Sequence, residues 1–344
     1  MRAPAFWAQP TPSPVAHALR PIAAFYGAIA SHRLRRSGMR APVPVICIGN
    51  FTAGGAGKTP TAIAVGQLLQ QAGHRPVFLT RGYGGRFMGP LRVGSESRAD
   101  DVGDEALLLA RVAPTILARD RKIGAKLAAT HGNVIVMDDG LQNPSLQKDL
   151  AIAVVDGGTG IGNGLCIPAG PLRASLAAQW PLVHTVVVIG EGPAGDPLAR
   201  DADRQGKPVF GARLVPNVND AERVAGKRVL AFAGIGRPAK FFQTLLDAGA
   251  IVEREIALPD HHRFRDGEVD DLIREARGKG LRLVTTEKDA ARLSSSHLED
   301  VTVLRVSLAL DNSNDFAALI ADKIRVAPPP SPAPSGRPLP SGER

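Results

Sequence analysis

One feature constrains this chain more than any other: an apolar strand that runs directly into a glycine-rich loop and then a helix. The strand pattern is Val43–Ile48, and it continues as Gly49-Asn50-Phe51-Thr52-Ala53-Gly54-Gly55-Ala56-Gly57-Lys58-Thr59-Pro60. Glycines let backbone N–H groups turn toward phosphate oxygens, and the following helix adds its positive end. Lys58 has the reach to neutralise β- and γ-phosphates, and Thr59 offers a hydroxyl to Mg²⁺. Thr52, Ala53, Gly54, Gly55, Ala56, Gly57, Lys58 and Thr59 are therefore the candidate ATP-binding residues. Thr52 departs from the usual pattern, which has glycine at this first position. A glycine-rich turn with an incidental Gly-Lys-Thr is the competing explanation, and it does not account for the strand before and the helix after.

A phosphate loop of this kind needs a second element, an apolar strand that ends in an acid facing the metal. Val134-Ile135-Val136-Met137-Asp138-Asp139 supplies it. Asp138 is the candidate Mg²⁺ ligand together with Thr59, and Asp139 shares that task or orients the acceptor. Switch ATPases of the partition and signal-recognition type carry a second lysine just before the paired glycines. Here that position is Ala53, which sets the class aside.

Around these motifs short apolar strands alternate with helical stretches. Expected strands are Val43–Ile48, Pro76–Leu79, Thr115–Ala118, Asn133–Met137, Ala151–Asp156 and Thr185–Ile189, with helices at Lys58–Gln71, Glu105–Val112 and Arg121–Ala129. Near-continuous Val/Ile runs suit parallel strands buried on both faces. The fold class is α/β: a doubly wound, mostly parallel P-loop sheet at 43–215. A second, smaller α/β domain is expected at 216–326. Its strands are Val229–Ala233, Ile251–Leu258, Leu281–Thr285 and Thr302–Val306, its helices Pro238–Ala248, Gly267–Ala276 and Phe316–Ile324. Leu214–Ala225 reads as the hinge, and the Pro/Ser/Gly-rich tail 327–344 as disordered. Hydrophobic residues at 44% of 344 are enough to give each domain a core. Two cysteines cannot build a disulfide framework, Cys47 fits a core position, and a reducing, cytosol-facing location is expected.

The net charge of +9 is unevenly placed. Met1 to Ser95 holds eleven Lys or Arg and no acid, so the remainder carries 31 bases against 33 acids. A basic first quarter suits an anionic partner, and without a nucleic-acid-binding motif that partner is expected to be a lipid surface or phosphates. In the segment 1–42, Pro21–Arg36 reads as a helix with Pro21 at its first position. Ile22, Phe25, Tyr26 and Ile29 share one face, and Arg33, Arg35 and Arg36 crowd the C-terminal end. Ile22–Ala30 is far shorter than the roughly 20 apolar residues that span a bilayer. The expectation is an interfacial helix; a helix packed on the protein's own core is the alternative.

Further words follow in order: Arg81-Gly82-Tyr83-Gly84-Gly85, Gly103-Asp104-Glu105, Asp138-Asp139-Gly140-Leu141-Gln142, Pro168-Ala169-Gly170-Pro171-Leu172-Arg173, Gly234-Ile235-Gly236-Arg237-Pro238, Pro259-Asp260-His261-His262 and Thr285-Thr286-Glu287-Lys288-Asp289. With the phosphate loop, these resemble the tetraacyldisaccharide 4′-kinase family from about Val45 to Arg292. Leu141, Asn143 and Ala174 depart from the family's usual Phe, His and Glu. The resemblance implies ATP- and Mg²⁺-dependent phosphorylation of the 4′-hydroxyl of a tetraacylated glucosamine disaccharide 1-phosphate, peripherally on the cytoplasmic face of the inner membrane. No nucleic acid and no protein partner is implied. It also implies Asp104 and His261 as a catalytic pair, with Lys58 and Asp139 assisting and Glu105 as a further metal contact. Arg81 and Arg173 are the implied acceptor-binding residues. Asp104 as a simple helix cap and His261 as an ordinary loop histidine are the plainer readings. Glu287-Lys288-Asp289 receives no role. A kinase or ligase for a soluble molecule, and a nucleotide-driven switch, remain the alternatives.

Overall fold

β1 (Val45–Gly49) is buried along its whole length, and its side chains alternate between two cores. Val45 and Cys47 face one, Ile46 and Ile48 the other, as the two-residue period of a strand requires. Such a strand must lie at the centre of a sheet covered on both faces. In the computed structural model, which describes residues 4–265 and 267–324, it does. Chain order continues with β2 (Pro76–Thr80), β3 (Leu91–Arg92), β4 (Thr115–Leu117), β5 (Val134–Asp138), β6 (Leu150–Asp156), β7 (Thr185–Ile189) and β8 (Val209–Pro216). A second group comprises β9 (Arg228–Ala233), β10 (Ile251–Ala257), β11 (Arg282–Thr286) and β12 (Val301–Leu304), and β13 (Val306–Leu310) comes last. The large sheet has the order β13-β8-β7-β6-β1-β5-β2-β4-β3, the small one β10-β9-β11-β12. Among the described residues, only β3 and β13, at the two edges, run antiparallel to their neighbours. β1 is flanked by β5 and β6, so the loop after it opens where the order of connections reverses, the usual ligand position of such sheets.

Two expectations about domain limits need correction. The expected strand Thr302–Val306 is two strands broken at Arg305. β12 completes the small parallel sheet, while β13 pairs antiparallel with β8 in the large one. The helix Ser313–Lys323 follows β13: Phe316 and Ile320 enter the same core as Ala62, Val65 and Leu69 of the helix Lys58–Gln71. The smaller domain therefore ends near residue 305, not 326, because apolar residues after Arg305 find their cover on the large sheet. The expected hinge 214–225 is the end of β8 plus a helix, Val218–Val224. The chain leaves and returns side by side: Asn217 N–H donates to the Arg305 carbonyl at 2.9 Å, and Arg305 Nη1 contacts both oxygens of buried Asp220 at 3.0 Å.

The N-terminal helix spans Pro14–Leu34, longer than expected, with Pro21 inside it rather than at its start. Ser13 caps it by accepting the Ala16 N–H, and Pro14 takes the first position. Its inward face is made of small residues, Ala16, Ala23 and Gly27, with Leu34. A Cβ on Gly27 would lie 2.9 Å from Cys166 Sγ, so this helix docks by close backbone approach. Val15, Ile22, Phe25, Tyr26 and Ile29 are left exposed. The expected disordered tail 327–344 lies outside the described residues.

Candidate active site

The entry of the phosphate loop is pinned by the segment Pro168–Arg173. Thr52 bridges to Leu172, the Ala53 N–H donates to the Pro171 carbonyl at 2.7 Å, and Arg173 Nε donates to the Thr52 carbonyl at 3.0 Å. Thr52 does not need a positive φ, which explains a threonine where the motif usually has glycine. The left-handed positions are Gly54, φ 112°, and Gly57, φ 90°, where L side chains are disfavoured. Lys58 lies over the loop, its Nζ donating to the Gly54 carbonyl at 3.2 Å and standing 3.7 Å from Asp139 Oδ1.

Asp138 and Asp139 are neighbours with opposite electrostatics. Asp139 turns into the left-handed region, φ 50°, a conformation Asp tolerates better than most residues. That turn brings its Oδ1 to 2.9 Å from Arg173 Nη1, beside Lys58. Burial opposes its charge, yet the two cations hold its pKa below the ordinary value. Asp138 is 1% exposed. Burial, then the Glu105 and Asp139 carboxylates, push its pKa far above the usual carboxylate range. Its Oδ2 is 3.4 Å from the Thr59 hydroxyl, and its Oδ1 has no protein partner. A buried, unpartnered carboxylate oxygen beside a threonine hydroxyl fits Mg²⁺, which takes few protein oxygens when phosphates supply the rest. Glu105, also expected at the metal, accepts at Oε1 from Lys288 Nζ at 3.2 Å.

Asp104 opens the helix Asp104–Ala110, with Gly103 as its N-cap. A Cβ on Gly103 would come 2.3 Å from the Tyr83 carbonyl, and one on Gly85 2.6 Å from the Asp101 carbonyl. The Arg-Gly-Tyr-Gly-Gly and Gly-Asp-Glu words thus pack backbone to backbone, and only glycine allows it. His261 comes from the smaller domain, in a left-handed conformation, φ 55°, and its Nδ1 lies 3.1 Å from Asp104 Oδ2. Its ring meets Tyr83 edge-on at 5.1 Å. Asp104 Oδ1 accepts the Glu105 N–H at 2.9 Å, and Oδ2 also receives Arg292 Nε at 3.1 Å. Burial alone would raise the Asp104 pKa. The His261 hydrogen bond, Lys288 and Arg292 outweigh it and hold the carboxyl well below its ordinary range.

Of the expected acceptor residues, Arg81 follows β2 and is exposed without an ion pair or hydrogen bond among the described residues. Arg173 instead joins the phosphate loop to Asp139 and Gln142. Several groups escaped sequence reasoning. Arg121, 2% exposed, starts the helix Arg121–Ala128 with its guanidinium toward the Asp138 carbonyl and its Nε unpartnered. Burial lowers its pKa to about 10. Nothing in its local sequence distinguishes it from a surface arginine. The unassigned Glu287-Lys288-Asp289 is a clasp between domains. Glu287 pairs with Arg111 at 2.8 Å, Lys288 with Glu105, and Arg292 with Asp104. Asp289, fully buried, accepts the Gly234 N–H and the Thr286 hydroxyl and orients Arg292. A second bridge joins the domains where Asp156, at the end of β6, receives Arg237 Nη1 at 2.7 Å and Lys240.

A model of the tetraacyldisaccharide-1-P 4′-kinase family matches residues 15–325. A tetraacyldisaccharide 4′-kinase of Methylobacterium nodulans is 55% identical over 98% of this chain and 100% of its own. One of Rhodopseudomonas palustris is 46% identical over 95% of this chain and 98% of its own. The fold is similar to that of LpxK from Aquifex aeolicus, crystallised in complex with ATP, with a TM-score of 0.70 at 24% identity over 90% of this chain and 99% of that one. This chain therefore belongs to the tetraacyldisaccharide-1-P 4′-kinase family.

Proposed function

We propose that this protein transfers the γ-phosphoryl group of ATP to the 4′-hydroxyl of a tetraacylated glucosamine disaccharide 1-phosphate, a step of lipid A biosynthesis. The observation that carries this reading, within the family, is that Asp104 and His261 meet across the domain cleft, next to Glu105, whose charge reaches Asp138 of the phosphate site. Phosphoryl transfer passes through a loose transition state, so positioning and charge neutralisation matter more than base strength. An Asp104 carboxylate kept ionised and oriented by His261 and Arg292 suits that chemistry: it receives the hydroxyl proton as the new O–P bond forms. Lys58 meets the β- and γ-phosphates. Thr59 and Asp138 would hold Mg²⁺, which supplies further neutralisation when bound. Arg81, exposed at the cleft end of β2, is the acceptor-phosphate candidate.

The acceptor is amphipathic, and the exposed apolar face of the helix Pro14–Leu34 supports peripheral binding at the cytoplasmic face of the inner membrane. No helix among the described residues is long and apolar enough to cross a membrane.

The test is ATP consumption with and without a detergent-dispersed acceptor disaccharide. Turnover that requires the disaccharide supports the proposal, while turnover indifferent to it points to a soluble substrate or a switch. Asp104→Asn should lower kcat about 100-fold or more with little change in the KM for ATP. His261→Ala should also lower kcat, and the double variant should be scarcely worse than Asp104→Asn, because the two act as one unit. Multiplied losses would mean that they work independently.

A further inference from the structure

We propose that Lys288 is a positioning residue for this reaction: it selects the His261 tautomer that donates Nδ1–H to Asp104. The inference rests on the Asp104–His261 pair described above, and it gives a role to a motif that the phosphoryl-transfer machinery leaves unused. Lys288 Nζ lies 3.3 Å from His261 Nε2. An ammonium has three donors and no acceptor. The ring nitrogen facing it must therefore present a lone pair, which leaves the neutral imidazole's proton on Nδ1, the atom 3.1 Å from Asp104 Oδ2. The opposite tautomer would point an N–H at the ammonium. Among the described residues, the carboxylate it would face is Asp260 Oδ1, 3.8 Å away, beyond hydrogen-bond length. It would also set two lone pairs, on Nδ1 and on Asp104 Oδ2, against each other.

The lysine is well placed to be definite about this choice. It is only about one-fifth exposed and is held from the other domain by Glu105 at 3.2 Å. Asp260 stands 3.9 Å from the same nitrogen. Its backbone lies in the short helix Glu287–Ala290, capped by Thr286 and fastened by buried Asp289. The ammonium is thus fixed from both sides of the cleft, and the tautomer is selected when the domains are together. Nothing in the geometry asks Lys288 to touch the reacting atoms.

The full chain, labelled with ¹⁵N at histidine and assigned with His261→Gln, gives a direct readout by nitrogen chemical shift. The expected spectrum has a protonated Nδ1 and a bare Nε2 at His261. Lys288→Met should weaken that preference, leaving Asp104 alone to hold it, and lower kcat about tenfold or more, with the KM for ATP within about twofold of wild type. Lys288→Arg, which still donates to Nε2, should restore the tautomer and part of kcat. Glu287→Gln breaks the neighbouring bridge to Arg111 and should leave the tautomer unchanged, which separates tautomer selection from clasping alone. A wild-type His261 with its proton on Nε2 overturns the proposal even if Lys288→Met fails to fold. A Lys288→Met enzyme with wild-type tautomer and kcat overturns it as well. If Asp104→Asn itself keeps full activity, the catalytic pair is wrong; if that variant is dead while Lys288→Met is normal, only the tautomer role falls.

Discussion

Asp138 and Asp139 show how adjacent residues of one type acquire different chemistry. Asp139 is balanced by Lys58 and Arg173, while Asp138 is buried with one oxygen unpartnered. A carboxylate whose folded-state pKa is raised binds its proton more tightly in the folded than in the unfolded chain. Folding stability then falls as pH rises above the ordinary carboxylate range of about 4 toward neutrality. Asp138→Asn should therefore raise the melting temperature of the nucleotide-free protein at pH 7.5 by about 3 °C while abolishing Mg²⁺-dependent turnover. A thermal melt that falls instead would show that Asp138 is stabilising without its metal. Lys58→Ala, by contrast, should remove turnover and lower the melting temperature modestly, as Asp139 keeps Arg173 when the Lys58 ammonium is lost.

At the scale of elements, the N-terminal helix carries its apolar side chains on the wrong face for a soluble domain. Phe25 is 71% and Ile22 59% exposed, whereas the docked face is Ala16, Ala23 and Gly27, with Leu34 at its end. The small residues let the helix lie close to Cys166 without using the large ones, which stay available to a lipid interface. Phe25→Glu should weaken binding to anionic vesicles about tenfold or more, since burying a Phe contributes roughly 1.5–3 kcal/mol. The melting temperature in buffer should not change. Vesicle flotation that is unaffected by Phe25→Glu and Ile22→Glu together would reduce this helix to a structural role. The arginines that follow should make the binding salt-sensitive.

For the whole molecule, the return of the chain to the large sheet joins the two domains at paired strands. β13 and the helix Ser313–Lys323 seal a core in which Phe316, fully buried, meets Phe210 edge-on at 5.0 Å. Phe316→Ala should cost about 3–5 kcal/mol, and denaturant should then release nucleotide binding before it unfolds the four-stranded sheet. Simultaneous loss of both would place residue 316 in the wrong domain.

The phosphate loop, the paired aspartates and the alternating strands were legible in the sequence because each is set by neighbours a few residues away. A glycine N-cap, an apolar run ending in an acid and a two-residue period are local matters. Family words also named Asp104 and His261 as partners, 157 positions apart. Other features had no local signal. Whether Val306–Leu310 extends the small sheet or crosses to the large one depends on which edge strand is free, and only the assembled β8 decides that. Lys288 and Arg292 look like members of a solvated helix start until the smaller domain places them against Asp104 and Glu105. Arg121 is an ordinary first-turn arginine until β5 closes over it. Burial and charge pairing are properties of the surroundings, and for these residues the surroundings come from strands and helices far away in the chain.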